Sequence, residues 1–253
     1  MMIDKKLIDL INRKAKEQQE QEKRNPKQYK CKKCKDTGFK KVVDENGDIR
    51  YTNCDCKLRE MALKSLEEQH IMDRAKRQLL NNFNVNNVEQ QIALNKALEF
   101  SQDDKAKGIL FLGKVGSGKT HLATACGVQK IIHFTPTIFV NWENMKSELI
   151  KYSYDSEEDR ERLKSRYKKS AGLFIDDLFK TTPNAKDLSL AYEIINYRYE
   201  NSLMTIVTSE KTLRQLFDLD SAIAGRLSEL AGKYVCEFTN TTDYRMIKAN
   251  VSK

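Results

Sequence analysis

The stretch GILFLGKVGSGKT, residues 108–120, opens as an uncharged apolar run and closes as a loop with glycine at three of its last eight positions. Residues 108–112 show no alternation with polar side chains, which predicts a strand buried on both faces. Residues 113–120 satisfy the pattern G-x-x-x-x-G-K-[ST] without departure. Glycine at 113, 116 and 118 lets backbone N–H groups turn inward. The following HLATACGVQKII predicts a helix whose N-terminus adds partial positive charge. A turn of this kind cradles phosphate. Gly113, Lys114, Val115, Gly116, Ser117 and Gly118 form the cradle, Lys119 reaches the β- and γ-phosphates of ATP, and the Thr120 hydroxyl is a ligand for Mg²⁺.

A triphosphate site needs a carboxylate opposite its loop, and Leu173-Phe174-Ile175-Asp176-Asp177-Leu178 offers an apolar strand ending in two. Asp176 is the candidate for holding Mg²⁺, directly or through water, and Asp177 for polarising an attacking water as general base. The plainer alternative is a strand end with two exposed acids. Ser209 and Glu210 follow a further strand, Met204–Thr208, and polar side chains beyond a strand's carboxyl end can contact the γ-phosphate or its water. Between these segments, helix and strand patterns alternate from Val88 to Phe238. The fold class predicted is α/β, a P-loop NTPase with a parallel sheet between helices.

The first 82 residues differ in character. Residues 1–28 predict an amphipathic helix followed by a solvated tail, with Ile3, Leu7, Ile8, Leu10 and Ile11 on its apolar face, either docking a partner or packing on the adjacent cysteine module. That module holds Cys31-x-x-Cys34 and Cys54-x-Cys56, separated by 19 residues. Between them, two β-like runs flank Asp44-Glu45-Asn46-Gly47, the turn of a hairpin. Four thiolates brought together this way suit a structural zinc; reduced thiols and a redox pair are the alternatives. The spacing of Cys54 and Cys56 is unusual, because side chains two apart diverge on a regular strand. The chain must bend there, or another ligand must substitute, with His70 the weaker candidate. A helix is expected from about Lys57 to Leu80, and the Asn-rich Asn81–Asn87 breaks it, so the domains are drawn as 1–82 and 83–253. Cys126 and Cys236 read as core.

The chain of 253 residues carries 45 Lys+Arg against 36 Asp+Glu, a formal charge of +9. The excess favours a polyanionic partner, although a lysine-rich proteome explains it as well. Tyr152, Tyr154 and Tyr167 sit among basic residues, where they can stack on bases or be ordinary half-buried tyrosines. No apolar run approaches the roughly 18 residues that span a bilayer. Asp4 and Asp9 interrupt the apolar stretch near the N-terminus, so no secretory signal is expected and the predicted location is cytoplasmic, with no membrane partner.

Taken in order, CKKCKDTGF, CDC, FLGKVGSGKTHLA, LFIDDL, TIVTSE, AIAGRLSEL and DYRM resemble the DnaC/DnaI-like helicase loaders of bacteria and their phages, which are AAA+ ATPases. The resemblance covers about residues 29–248. It implies an ATPase that binds the replicative DNA helicase, assists its placement on single-stranded DNA and self-associates in the ATP state. The N-terminal module would meet the helicase. It also implies that Arg226 is a trans-acting arginine finger, that Arg245 senses nucleotide, and that Ser209, or else Glu210, is the sensor after the fourth strand. Glu210 stands where the family usually has Asn. Competing readings are an IstB-type ATPase helper of DNA transposition, a zinc-bearing adaptor with a structural nucleotide, and a P-loop kinase, for which no acceptor pocket is evident.

Overall fold

The computed structural model describes residues 29–43, 47–133 and 135–240, excepting the side chains of residues 62 and 152–155. The expected helix over residues 1–28, the turn residues Asp44-Glu45-Asn46, Arg245, and the side chains of Tyr152 and Tyr154 lie outside the described residues. The chain divides into two compact units, Met1–Arg59 and Glu60–Lys253.

In the first unit, strands β1 (Phe39–Val43) and β2 (Ile49–Asn53) pair antiparallel, with Phe39 opposite Asn53 and Val43 opposite Ile49. The cysteine pairs lie at the base of this hairpin. Helix α1 (Asp55–Glu68) begins directly after Cys54.

In the second unit, α2 (Met72–Arg77) and α3 (Val88–Gln102) precede β3 (Gly108–Gly113), α4 (Lys119–Ile132) and β4 (Thr137–Asn141). Then come α5 (Trp142–Asp155), α6 (Glu157–Lys169), β5 (Gly172–Asp176), α7 (Ala185–Glu200) and β6 (Met204–Ser209). The last elements are α8 (Leu213–Leu219), α9 (Ser221–Ala231) and β7 (Val235–Phe238). The five strands lie in the order β4-β5-β6-β3-β7, and each neighbouring pair is parallel.

Side chains alternate across a strand, so the uninterrupted apolar runs must be covered on both faces. The register aligns them in rows. Val140, Ile175, Val207, Leu110 and Val235 form one row across all five strands, in the cluster built with Trp142, Ile194 and Leu227. Phe139, Phe174, Ile206 and Ile109 form the row on the opposite face, packed with Ala93, Phe100 and Leu122. Each fully buried aliphatic or Phe side chain in such a row contributes about 1.5–3 kcal/mol relative to exposure.

Local signals set several boundaries. Helix α6 starts where the Ser156 hydroxyl accepts from the Asp159 N–H at 3.2 Å, carries Glu157, Glu158 and Asp159 in its first turn, and ends with Arg166, Lys168 and Lys169. Both charge clusters complement the helix dipole. The helix expected over 57–80 is interrupted instead: α1 stops at Glu68, His70 adopts φ +53°, and α2 begins at Met72. The break lets the Gln69 amide serve the edge of the sheet, where it donates to the Thr137 carbonyl at 3.1 Å and accepts the Phe139 N–H at 2.8 Å. Beyond it, Ile71 and Ala75 join Leu66 against Val128 and Ile131 of α4. Residues 60–82, expected to belong with the cysteines, therefore pack within the second unit, and the division falls at Arg59 rather than near 82. Tyr167, a candidate for base stacking, is 3% exposed and donates to Glu148 at 2.8 Å, so its ring is not available for that role.

Arg198 of α7 is fully buried, and its guanidinium ties three segments together. It donates to the carbonyls of Tyr167, Ser170 and Met204 at 2.9, 2.9 and 2.6 Å, and to the Thr205 hydroxyl at 3.0 Å. These bonds satisfy the C-terminal end of α6 and the entry to β6. Replacing Arg198 with Met keeps the apolar stem and leaves the carbonyls without a donor. The expected cost is about 3 kcal/mol of stability, read as a lower urea midpoint. An unchanged midpoint would show that the guanidinium bonds contribute nothing net.

Candidate functional site

Strand β3 delivers the glycine loop at the carboxyl edge of the sheet, and two of its glycines are sterically required. Gly113 has φ +106°, and a Cβ there would collide with the Phe238 carbonyl. Gly118, at φ +97°, caps the start of α4 with the Phe83 ring against its Cα. The loop is further held by Lys114 N–H to the Phe238 carbonyl at 2.9 Å and by the buried Gln90 amide to the Ser117 carbonyl at 3.1 Å. Lys119 is 6% exposed, and its Nζ donates to the carbonyls of Gly113 and Lys114 at 2.7 and 2.6 Å. The ammonium thus lies inside the curve of the loop, where a phosphate would meet it.

The sheet order explains how the carboxylate is held. Strand β6 lies between β3 and β5, so a side chain at its end reaches both. Thr208 does this: its hydroxyl donates to Asp176 Oδ1 at 2.7 Å and accepts the Asp177 N–H at 2.8 Å. Thr120 donates to the same Oδ1 at 2.9 Å, and Arg74 donates to Oδ2 at 2.9 Å. Thr120 and Asp176 converge as two hard oxygen donors, a set that fits Mg²⁺. Asp177 adopts φ +58°, turning off the strand, and its carboxylate pairs with Lys180 at 3.1 Å. Lys180 also lies 3.7 Å from Glu210.

A cavity of about 390 Å³ lies over the loop. Residues 116–121 form its floor, Asp177, Lys180 and Glu210 one wall, and Gln78, Asn82, Phe83 and Asn84 another. The second wall rests on α4: His121 contacts the Phe83 ring edge-on at 5.2 Å between centroids, and its Nε2 lies 2.9 Å from the Leu79 carbonyl. Burial holds the His121 pKa below its ordinary value, so the ring is neutral near pH 7.

In the first unit, the four sulfurs of Cys31, Cys34, Cys54 and Cys56 lie within 4.8 Å of one another, with 3.8 Å between Cys31 and Cys54 and 3.4 Å between Cys34 and Cys56. Zinc–sulfur bonds of about 2.3 Å place tetrahedral sulfurs about 3.8 Å apart, so the set fits one zinc ion. The Cys54–Cys56 spacing is accommodated because Cys54 lies between the end of β2 at Asn53 and the start of α1, while Cys56 lies in the first turn of α1. The knuckle at Cys31 is shaped by Lys35 and Asp36, both at positive φ, with the Asp36 carboxylate accepting the Cys31 N–H at 2.8 Å. Hydrogen bonding from the Cys34 backbone and thiol brings Cys31 down to about 7, whereas its bond to Cys34 pushes Cys56 up to about 12. His70 is not in the cluster. Cys126 and Cys236 are buried, and burial pushes each up to about 12.

The structure thus brings Gly116, Ser117, Gly118, Lys119, Thr120, Asp177 and Glu210 around one cavity, with Asp176 bonded to Thr120 at its edge. Ser209 points elsewhere: its buried hydroxyl donates to the Leu178 carbonyl at 2.6 Å. Of the two sensor candidates, Glu210 is the one that lines the cavity. Arg226 is not among the lining residues. It bonds to Asn196 and Tyr192 of α7 and lies over the Tyr192 ring, 4.9 Å from its centroid. Sequence reasoning missed Arg74, Phe83, Gln90 and Thr208. Phe83, a lone aromatic in an Asn-rich run, was the one available signal.

Fold and site together define a P-loop nucleotide-binding protein. Residues 58–227 match the family described as IstB-like ATP binding protein, and the chain belongs to that family. It is similar to phage-like element PBSX protein XkdC of Bacillus subtilis (strain 168), with 31% identity over 227 residues that cover 82% of this chain and 81% of the relative. The structure of the DnaC helicase loader shares the fold at a TM-score of 0.57 and 24% identity, over 66% of this chain and 99% of that one. The replication initiator DnaA, bound to AMPPCP and single-stranded DNA, shares it at 0.56 and 20% identity, over 70% of this chain and 55% of the other.

Thr208→Val is close to isosteric and removes only the hydroxyl that joins Asp176 to the Asp177 backbone. The expected loss is about 1–2 kcal/mol of stability in chemical denaturation. A variant as stable as the parent would mean that the bridge does not hold these groups.

Proposed function

We propose that the chain is an ATP-dependent helicase loader, an ATPase that binds the replicative DNA helicase and assists its placement on single-stranded DNA. The observation that carries this reading is the joining, in one chain, of a four-sulfur cluster to a body with the fold of the DnaC helicase loader. In this reading the triphosphate lies in the loop from Gly113 to Thr120, and Lys119 neutralises its β- and γ-oxygens. Thr120 and Asp176 hold Mg²⁺, which when bound offsets charge on the transferred phosphoryl group. Asp177 takes a proton from water as the water oxygen bonds to the γ-phosphorus and the bond to the β-phosphate oxygen breaks, leaving ADP and phosphate. Glu210, at the cavity wall, would orient that water. Arg226, which does not line its own cavity, would serve the cavity of a neighbouring copy, and Arg245 would sense the nucleotide. ATP binding then favours the self-associated, DNA-gripping form through its differential affinity for that state.

The family description favours a second reading, an ATPase helper of DNA transposition. Under the loader reading, the protein co-purifies with the host's replicative helicase in ATP and Mg²⁺, and Lys119→Ala abolishes nucleotide binding. ATP hydrolysis is stimulated by single-stranded DNA more than by duplex. Absence of any helicase complex, with stimulation by duplex alone, would favour the transposition helper and sink the loader.

The cysteine module is proposed to hold one structural zinc through Cys31, Cys34, Cys54 and Cys56. Elemental analysis of the purified chain is expected to find one equivalent of zinc, lost in Cys54→Ser. Loss of the hairpin's amide protection would accompany it. A chain that folds and stays protected in a strong chelator would refute the assignment.

A further inference from the structure

Among the described residues, Asp176 accepts from three side-chain donors, and one of them, Arg74, is a cation. Oδ1 takes the hydroxyls of Thr120 and Thr208 at 2.9 and 2.7 Å, while Oδ2 takes Arg74 Nη2 at 2.9 Å. The Asp176 side chain is 11% exposed and that of Arg74 32%, so the pair is only partly screened by water. Arg74 is not a casual neighbour. Its Nε donates to Gln78 Oε1 at 3.0 Å, and its guanidinium lies 5.8 Å from the centroid of the Phe174 ring, on the strand that presents Asp176. Gln78 in turn lines the nucleotide cavity. The residue belongs to α2, a helix of six residues whose Ala75 and Met72 pack with Val128 and Ile131 of α4.

We propose that Arg74 and Mg²⁺ compete for the Asp176 carboxylate, so that metal-nucleotide binding loosens helix α2 and Arg74 in turn sets the Mg²⁺ requirement of the site. This rests on the reading of Asp176 and Thr120 as the magnesium donors. The physical basis is that two cations drawing on one largely buried carboxylate repel each other, and each weakens the hold of the other. Linkage makes the effect reciprocal: the factor by which Arg74 weakens the metal is the factor by which the metal weakens the docking of α2. Helix α2 is suited to respond, because it is short and follows the break at Gln69–Ile71. The helix lies in the first part of the second unit, which begins at Glu60. The carboxylate that organises the phosphate site thereby also holds the position of helix α2.

The test uses the full chain and a fluorescent, non-hydrolysable adenine nucleotide titrated with Mg²⁺. Arg74→Gln, which keeps a hydrogen-bond donor and removes the charge, is expected to lower the Mg²⁺ midpoint of nucleotide binding about three- to tenfold. In the unsubstituted protein, amides of residues 72–78 are expected to exchange hydrogen at least about threefold faster with nucleotide and Mg²⁺ than with nucleotide and chelator. An unchanged or raised midpoint in Arg74→Gln overturns the proposal, as does exchange that is unaltered or slowed. Should Arg74→Gln fail to fold, the exchange measurement decides alone. If the unsubstituted chain binds no adenine nucleotide at all, the underlying reading falls as well; normal binding with an unshifted midpoint removes only the role of Arg74.

Discussion

A carboxylate at the end of a buried central strand must be given donors, and the way Asp176 is given them organises the second unit. Its side chain accepts from Thr120 at the start of α4, from Thr208 at the end of β6 and from Arg74 of α2. An unpaired buried charge would cost several kcal/mol, so these elements are held to one geometry at the point where the phosphate loop ends. The strand order makes this possible. With β6 inserted between β3 and β5, Thr208 stands between the loop strand and the acid strand, a position that no neighbour of β3 alone could supply.

The same economy of contacts appears at the loop. Lys119 is buried, and its ammonium is directed by bonds to the loop's own carbonyls. The wall opposite is made by residues 78–84, which rest on α4 through Phe83, His121 and Leu79. Floor and wall are therefore parts of one packed structure. A cavity assembled in this way has its shape set by the core beneath it.

The cysteine module obeys a different logic. Its hairpin exposes Phe39, Val43, Ile49 and Tyr51 and buries little apolar surface of its own. Small units of this kind usually need a cross-link or a metal to hold them. Four sulfurs within 4.8 Å supply the donor set for one, and the helix that begins after Cys54 adds a favourable partial charge near the sulfurs. Among the described residues no helix is long and apolar enough to cross a membrane.

Local sequence was sufficient for what depends on short-range chemistry. The strand-loop-helix at 108–132, the acid-ended strand at 172–176, the alternation of elements and the two cysteine pairs each arise from residues close together in the chain, because periodicity, glycine φ and ligand spacing act over a few residues. Tertiary structure alone decided the rest. Arg74 meets Asp176 across 102 positions, and Thr208 meets it across 32. The break after Glu68 lets Gln69 serve a strand edge formed 68 positions later. Ser209 and Glu210 are adjacent in sequence, yet the hydroxyl of one is spent on the Leu178 backbone while the other reaches the cavity. No local pattern encodes these outcomes, since each depends on which strands become neighbours and on where a buried charge finds its donors.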